Sequence, residues 1–265
     1  MSGKVPQSRE FHFEEVAERY CRLRQTDKAP VDAIRQIIAG NRGPIRAADV
    51  GCGPGRYSEL LFNILPNGSH LECLDRSAKM LDQVPLEAML ARSDGKTVGV
   101  KRSTAENLPF DSEYLNLIAC FNAIHHFDPK KFFTEAVRVL ITGSPLFIYT
   151  RLREQNEDTI WGRLFPEFCK HEDRVPARDT LVGQLQTTAG LQFDREIPFE
   201  FQRIDTIEDL IARVRGKYYS VFSRYTQDKL DTAVVEFNHA VERTYNDVTK
   251  IQHPSKYSLF VAHKV

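Results

Sequence analysis

Apolar positions along the chain alternate between two textures, helical spacing and short continuous runs. Phe11, Phe13, Val16, Ala17, Tyr20 and Cys21 recur at helical spacing, as do Val31, Ile34, Ile37 and Ile38. Residues 9–40 therefore predict two helices, separated at Lys28-Ala29-Pro30. Short apolar runs at 45–50, 70–75, 98–101, 116–121 and 144–150 predict five strands. Helical stretches lie between them, one with Tyr57, Leu60, Leu61 and Ile64 on one face and one over 132–140. Strands alternating with helices imply βαβ units and a mostly parallel sheet. Beyond residue 150 the texture changes: a charged segment leads to Trp161 and Phe165-Pro166, a helix is predicted near 179–189 and a strand over 191–202. A long helical region over 206–246 and a terminal strand over 257–262 complete the pattern.

Charge and cysteine content narrow the possibilities. The 36 Lys plus Arg balance 36 Asp plus Glu, so the net charge is zero and there is no overall basic surplus for gripping a phosphate backbone. The five cysteines are widely spaced, with no CxxC or His-x-x-Cys pair, so no metal site is expected. No apolar run reaches the ~18 residues that span a bilayer and the N-terminus has no signal-like apolar stretch, so a cytoplasmic setting with no membrane partner is expected.

The sharpest chemical signal is Asp49-Val50-Gly51-Cys52-Gly53-Pro54-Gly55 at the junction of the first strand with the following helix. Glycines there let a ligand approach the backbone closely. A dinucleotide loop, G-x-G-x-x-G, would need glycine where Arg56 stands. Asp49, two residues before the loop, would repel a pyrophosphate and favour a cationic amino-acid end. Asp75, 20 residues after Gly55 at the end of the second strand, is suited to accept hydrogen bonds from ribose hydroxyls. A cofactor with both an adenosine and an ammonium group, S-adenosylmethionine (SAM), satisfies both carboxylates.

Asp49–Gly55, Leu74-Asp75-Arg76-Ser77, Ala105-Glu106-Asn107-Leu108-Pro109-Phe110 and Asn122-Ala123-Ile124-His125-His126-Phe127 follow in order. Together they resemble the class I SAM-dependent methyltransferases, in the type 11 domain group that includes the ubiquinone/menaquinone-biosynthesis enzymes. The resemblance covers roughly residues 9–150. It implies an α/β, Rossmann-like, doubly wound, mostly parallel seven-stranded sheet with helices on both faces and an inserted helical cap. It also implies one domain over 1–265, with a SAM-binding core at 9–150, acceptor-site cap elements within 151–254 and a final strand at 255–265. Position by position, it implies that Asp49, Gly51, Gly53 and Gly55 line the methionine end of SAM and that Asp75 holds the ribose. Arg76, Ala105 and Glu106 would border the adenine, and Asn122 would lie near the sulfonium. Tyr20 and Arg24 would close over the site. Thr104 stands where relatives often carry an Asp that touches the adenine amino group, so this contact would be an uncharged one.

Methyl transfer from a sulfonium is an in-line displacement governed largely by alignment. A base is needed only where the nucleophile keeps its proton. His125 and His126 follow the fourth strand, and either could be that base or could pack against the cofactor. The aromatics Trp161, Phe165, Phe168, Tyr218, Tyr219, Phe222 and Tyr225, with Arg151, Arg153, Arg213, Arg215, Lys217 and Arg224, suggest an aromatic and cationic acceptor wall. A small-molecule acceptor is the leading expectation. A tRNA-modifying methyltransferase using a local basic patch over 203–224 and a non-catalytic SAM-binding module are the alternatives.

Overall fold

A computed structural model describes residues 25–40, 43–217 and 219–265. Its elements, in chain order, are α1 (Ala29–Ile38), β1 (Arg46–Val50), α2 (Arg56–Ile64), β2 (His70–Asp75), α3 (Ala78–Leu81), α4 (Leu86–Leu90), β3 (Thr97–Arg102), β4 (Leu117–Phe121), α5 (Pro129–Val139) and β5 (Pro145–Thr150). The second half holds α6 (Arg153–Glu157), α7 (Ile160–Leu164), α8 (Phe168–His171), α9 (Arg178–Thr187), β6 (Leu191–Asp205), α10 (Ile207–Arg215), α11 (Gln227–Thr244) and β7 (Ile251–Lys264). The first expected helix, with Tyr20 and Arg24, lies outside the described residues, as does Tyr218.

The seven strands form one sheet in the order β3-β2-β1-β4-β5-β7-β6. All neighbours through β5 are parallel, and β7 runs antiparallel to both β5 and β6. Strands buried on both faces show why the sequence reads as continuous apolar runs. On β4, Ile118 and Cys120 face one core with Phe132, Phe133 and Ala136 of α5 and Leu181 and Leu185 of α9. Leu117, Ala119 and Phe121 face the other, with Val31, Ile34 and Ile38 of α1 and Leu61 and Phe62 of α2. This is the doubly wound, Rossmann-like architecture with helices on both faces. Local chemistry starts α5 where it does: Asp128 accepts hydrogen bonds from Lys130 N and Lys131 N, and Pro129 occupies the first turn.

The C-terminal half departs from the expected elements in two places. The region over 206–246 is not one long helix. Thr206 caps α10, a 3₁₀ turn occupies Ser220–Arg224, and α11 begins after Thr226. Gly216 ends α10, because its lack of a side chain and its position after Arg215 favour termination over continuation. The terminal strand is also far longer than 257–262. Its residues 258–263 pair with β5, while 251–257 pair only with β6, so a two-stranded ribbon projects past the carboxyl ends of the parallel strands. Polar residues and Pro254 along that ribbon hide its strand character in the sequence.

A third core sits on this ribbon. Trp161, Phe165, Phe168, Val214, Val221, Phe222, Phe237, Val241 and Ile251 pack together, and Trp161 stacks on Phe237 with centroids 5.2 Å apart. The expected aromatic acceptor wall is corrected accordingly: Trp161, Phe165, Phe168 and Phe222 are the buried interior of the cap. Their burial follows from α7, α8, α10 and α11 being too short or too polar to fold without a shared apolar centre. Phe222 is fully buried, so Phe222→Ala should cost about 3–5 kcal/mol of unfolding free energy. Urea denaturation of the variant would measure this loss.

Candidate functional site

Strand order reverses between β1 and β4, because β2 lies on one side of β1 and β5 on the far side of β4. Loops leaving the carboxyl ends of these two strands diverge and leave a crevice there. The crevice is lined by the glycine loop after β1, Asp75 and Arg76 after β2, Ser103–Glu106 after β3, and Phe121–Ala123 with His126 and Phe127 after β4.

The glycine loop is shaped by two kinds of restraint. Gly51 has φ +74°, and a β-carbon there would stand 2.5 Å from the Ala123 β-carbon. The loop after β1 therefore packs directly on the loop after β4. Gly53 has φ +55°, yet a β-carbon there would meet no atom within 4 Å. That open side faces the crevice and leaves the backbone approachable. Gly51 N and Cys52 N donate to the Leu74 carbonyl at 2.8 and 2.9 Å, tying the loop to the end of β2. Gly55 caps α2 rather than lining the crevice.

Asp75 organises the adjoining wall. Its Oδ2 accepts from Gly53 N at 2.9 Å and its Oδ1 accepts from Ser77 N at 2.9 Å. Burial pushes its carboxyl above the usual range, and these two N–H groups oppose that rise. Each oxygen keeps a further lone pair for a ligand hydroxyl. The loop after β3 is held from behind. Leu108 N donates to Glu135 Oε2 at 2.7 Å, and Arg138 donates to the Leu108 and Phe110 carbonyls. Glu106 Oε1 accepts from Asp128 N at 2.8 Å, linking that loop to the segment carrying the two histidines. The lining fits SAM: carboxylate acceptors for hydroxyls at Asp75, closely approachable backbone at Gly53, and apolar surface at Ala105 and Phe127.

Most of the expected site residues meet at this crevice: Gly51, Gly53, Asp75, Arg76, Thr104, Ala105, Glu106, Asn122 and His126. Tyr20 and Arg24 fall outside the described residues. His125 does not share the crevice. It lines a separate pocket with Arg174, Pro176 and Leu181, with its ring centroid 4.0 Å from that of His126. Asp49 is also corrected: it lies fully buried on β1 behind the loop, not on the crevice wall. Its Oδ2 accepts from Ser58 Oγ at 2.6 Å, while Oδ1 has no hydrogen-bond partner.

The crevice also contains residues that sequence reading did not assign to it. Arg56 and Tyr57, from the first turn of α2, line it with Phe121 and Met80. Tyr57 and Phe121 stack at 4.6 Å, and their rings continue into Tyr149 and Tyr257. Arg56 served the sequence reading only to exclude a dinucleotide loop, and Tyr57 read as the apolar face of a helix. Among the described residues, no group of three or more His, Cys, Asp or Glu could hold a metal ion, and no helix is long and apolar enough to cross a membrane.

Burial raises the Asp49 carboxyl to about 7, the Ser58 hydrogen bond partly opposes this, and Asp75 adds to the rise. In the unfolded chain the group returns to 3.8. Between these values the folded chain holds a proton that the unfolded chain has lost, so this group's contribution to stability falls as pH rises from about 4 to about 7. Asp49→Asn should remove that dependence. The Tm of the variant relative to the original chain should climb across this window and level off above it, as thermal melts at successive pH values would read.

Comparison with known proteins agrees with this geometry. Residues 48–148 match the family described as "Methyltransferase domain". The Bos taurus protein named "Probable tRNA methyltransferase 9B" is 28% identical over 161 residues, 59% of this chain and 31% of that protein. The chain thus spans about a third of the length of that relative. Phthiotriol/phenolphthiotriol dimycocerosates methyltransferase of Mycobacterium tuberculosis is 33% identical over 122 residues, 45% of this chain and 42% of that protein. The solved structure of geranyl diphosphate methyltransferase in complex with SAM superposes with a TM-score of 0.57 at 14% identity, covering 99% of this chain and 93% of that one. Every residue that lines the crevice falls within the segment, 48–148, that matches this methyltransferase domain family.

Proposed function

We propose that the chain, acting as one unit over 1–265, transfers the methyl group of SAM to a small-molecule acceptor. The observation that carries this reading is the half-buried Asp75 carboxylate, facing the crevice while bracing the glycine loop through Gly53 N. Beyond this bracing role, each oxygen keeps a further lone pair with which to accept from a ligand hydroxyl. In this reading Asp75 holds the ribose, Gly51 and Gly53 present backbone to the methionine end, and Arg76, Thr104, Ala105 and Glu106 border the adenine. Asn122 lies at the reacting end. Bound SAM supplies an electrophilic methyl group. The chain's own work is alignment, exclusion of water and, where the nucleophile keeps its proton, its removal at the His126 ring. Asp49 acts only through the loop, as a buried acid behind it.

A small acceptor is supported by the charge of the cap. Three of the five basic residues expected to form an RNA-binding patch are paired with acids, Arg203 with Asp27, Arg213 with Asp205 and Arg224 with Asp173, while Arg215 and Lys217 are exposed. Although burial pushes the Asp205 carboxyl up, hydrogen bonds from His253 and Arg213 hold it down to about 2, so Arg213 stays neutralised at ordinary pH. The crevice runs into the aromatic rings of Tyr57 and Phe121, which suits a compact organic acceptor. The tRNA reading keeps one specific support, the 28% identity to a protein with that name.

Labelled SAM added with the purified chain to separate small-molecule and tRNA fractions of a cell extract decides between them. Label should enter the small-molecule fraction, and label in tRNA alone would reject this reading. Asp75→Ala should weaken SAM binding about 10-fold or more, the loss expected for hydrogen bonds to a charged group. With a hydroxyl acceptor in hand, His126→Ala should lower kcat by about 100-fold while leaving SAM affinity nearly unchanged, and His125→Ala should do far less.

A further inference from the structure

The loop after β3 and the segment after β4 both line the crevice, and the Glu106 side chain joins them. Its Oε1 accepts a hydrogen bond from Asp128 N at 2.8 Å. A tight turn fixes Glu106 from its own side. Asn107 N donates to the Thr104 carbonyl at 3.3 Å, and Ser103 Oγ donates to the Asn107 carbonyl at 2.8 Å. Two residues on, Leu108 N donates to Glu135 of α5, so the same loop is tied to that helix as well. The segment that carries the histidines is held far more lightly. His126 N and Phe127 N close a single 3₁₀ turn on the Ala123 and Ile124 carbonyls. Among the described residues, Asp128 N is the one N–H of residues 125–128 that bonds to a different loop. The acceptor it meets is a carboxylate, and hydrogen bonds to ionised acceptors are shorter and stronger than neutral ones.

His126 lines the crevice two residues before that bond. Resting on the reading that His126 removes the acceptor's proton, we infer that Glu106 is a positioning residue for His126. Its carboxylate sets the distance between the wall formed by Thr104, Ala105 and Glu106 and the histidine ring, and it does so through Asp128 N rather than through the cofactor. Methyl transfer depends on alignment, and a displacement of about 1 Å can cost up to about 100-fold in rate. A half-buried side chain with no part in the chemistry can therefore govern the rate.

The test measures two quantities on the full chain. One is the affinity for S-adenosylhomocysteine (SAH), the demethylated cofactor, by calorimetry. The other is the initial rate at which label passes from saturating SAM into the small-molecule fraction of a cell extract. Glu106→Ala should lower that rate about tenfold or more, the scale of a lost bond to a charged acceptor, and leave SAH affinity within about twofold. Glu106→Gln should return the rate to within about threefold of the original chain, because its side-chain carbonyl accepts from the same N–H. The double variant Glu106→Ala with His126→Ala should be within about twofold of His126→Ala alone, since the ring that Glu106 places is already gone. A further tenfold loss in the double variant overturns the inference, as does an unchanged rate in Glu106→Ala. So does Glu106→Gln no faster than Glu106→Ala, or SAH affinity falling as far as the rate. Thermal melts separate lost folding from lost rate, and Glu106→Leu, which keeps the bulk without an acceptor oxygen, replaces Glu106→Ala if that variant melts early. A chain that passes no label to small molecules overturns the proposed function and this inference together. An unchanged rate in His126→Ala overturns the role of the histidine, and that of Glu106 with it.

Discussion

Two hydrogen bonds to one carboxylate organise the crevice. Asp75 takes Gly53 N on one oxygen and Ser77 N on the other, so a single half-buried side chain joins the loop after β1 to the turn after β2. Gly51 N and Cys52 N reach the Leu74 carbonyl and reinforce the same junction. The glycine loop is then pressed against Ala123 on the opposite side, where only a residue without a β-carbon fits. A flexible loop between two rigid strands would otherwise lose its shape, and a cofactor would have to order it on binding. Here that ordering is built in.

Behind the loop lies a second buried acid with a different character. Asp49 has one oxygen on Ser58 and the other without a partner, in a setting dry enough to favour the protonated form near neutrality. Asp49 and Asp75 therefore divide two tasks that look alike in sequence. One carboxylate is exposed to the crevice and satisfied by backbone donors, and the other is enclosed and only half satisfied. Burial rather than residue type separates them.

The cap has its own logic. Its helices are short, and none buries enough apolar surface alone, so they gather around Trp161, Phe165, Phe222 and Phe237 on the projecting β6–β7 ribbon. Near the outer end of the ribbon, Arg203 grips Asp27 through both carboxylate oxygens at 2.8 and 2.7 Å, which fastens the chain just before α1 to the edge strand β6. Tyr149 completes that contact from β5, with its hydroxyl 3.4 Å from the same carboxylate. Arg203, Arg213 and Arg224, three of the cations that looked like a free basic surface in sequence, are paired within the fold.

The parallel core was legible because its signals are local. Apolar runs mark strands buried on both faces, and Gly51, Gly53 and Asp75 stand out by residue type and spacing alone. What the sequence could not determine depends on partners far along the chain. Whether Asp49 meets a ligand is decided by the depth of β1 in the sheet, and which histidine enters the crevice is decided by one residue of rotation in a 3₁₀ turn. The length of β7 was hidden because its polar half is held by pairing with β6 rather than by any pattern of its own. The cap aromatics could be read equally as wall or core until helices separated by some seventy residues were brought together, and only tertiary packing chose the core, by removing their apolar surface from water.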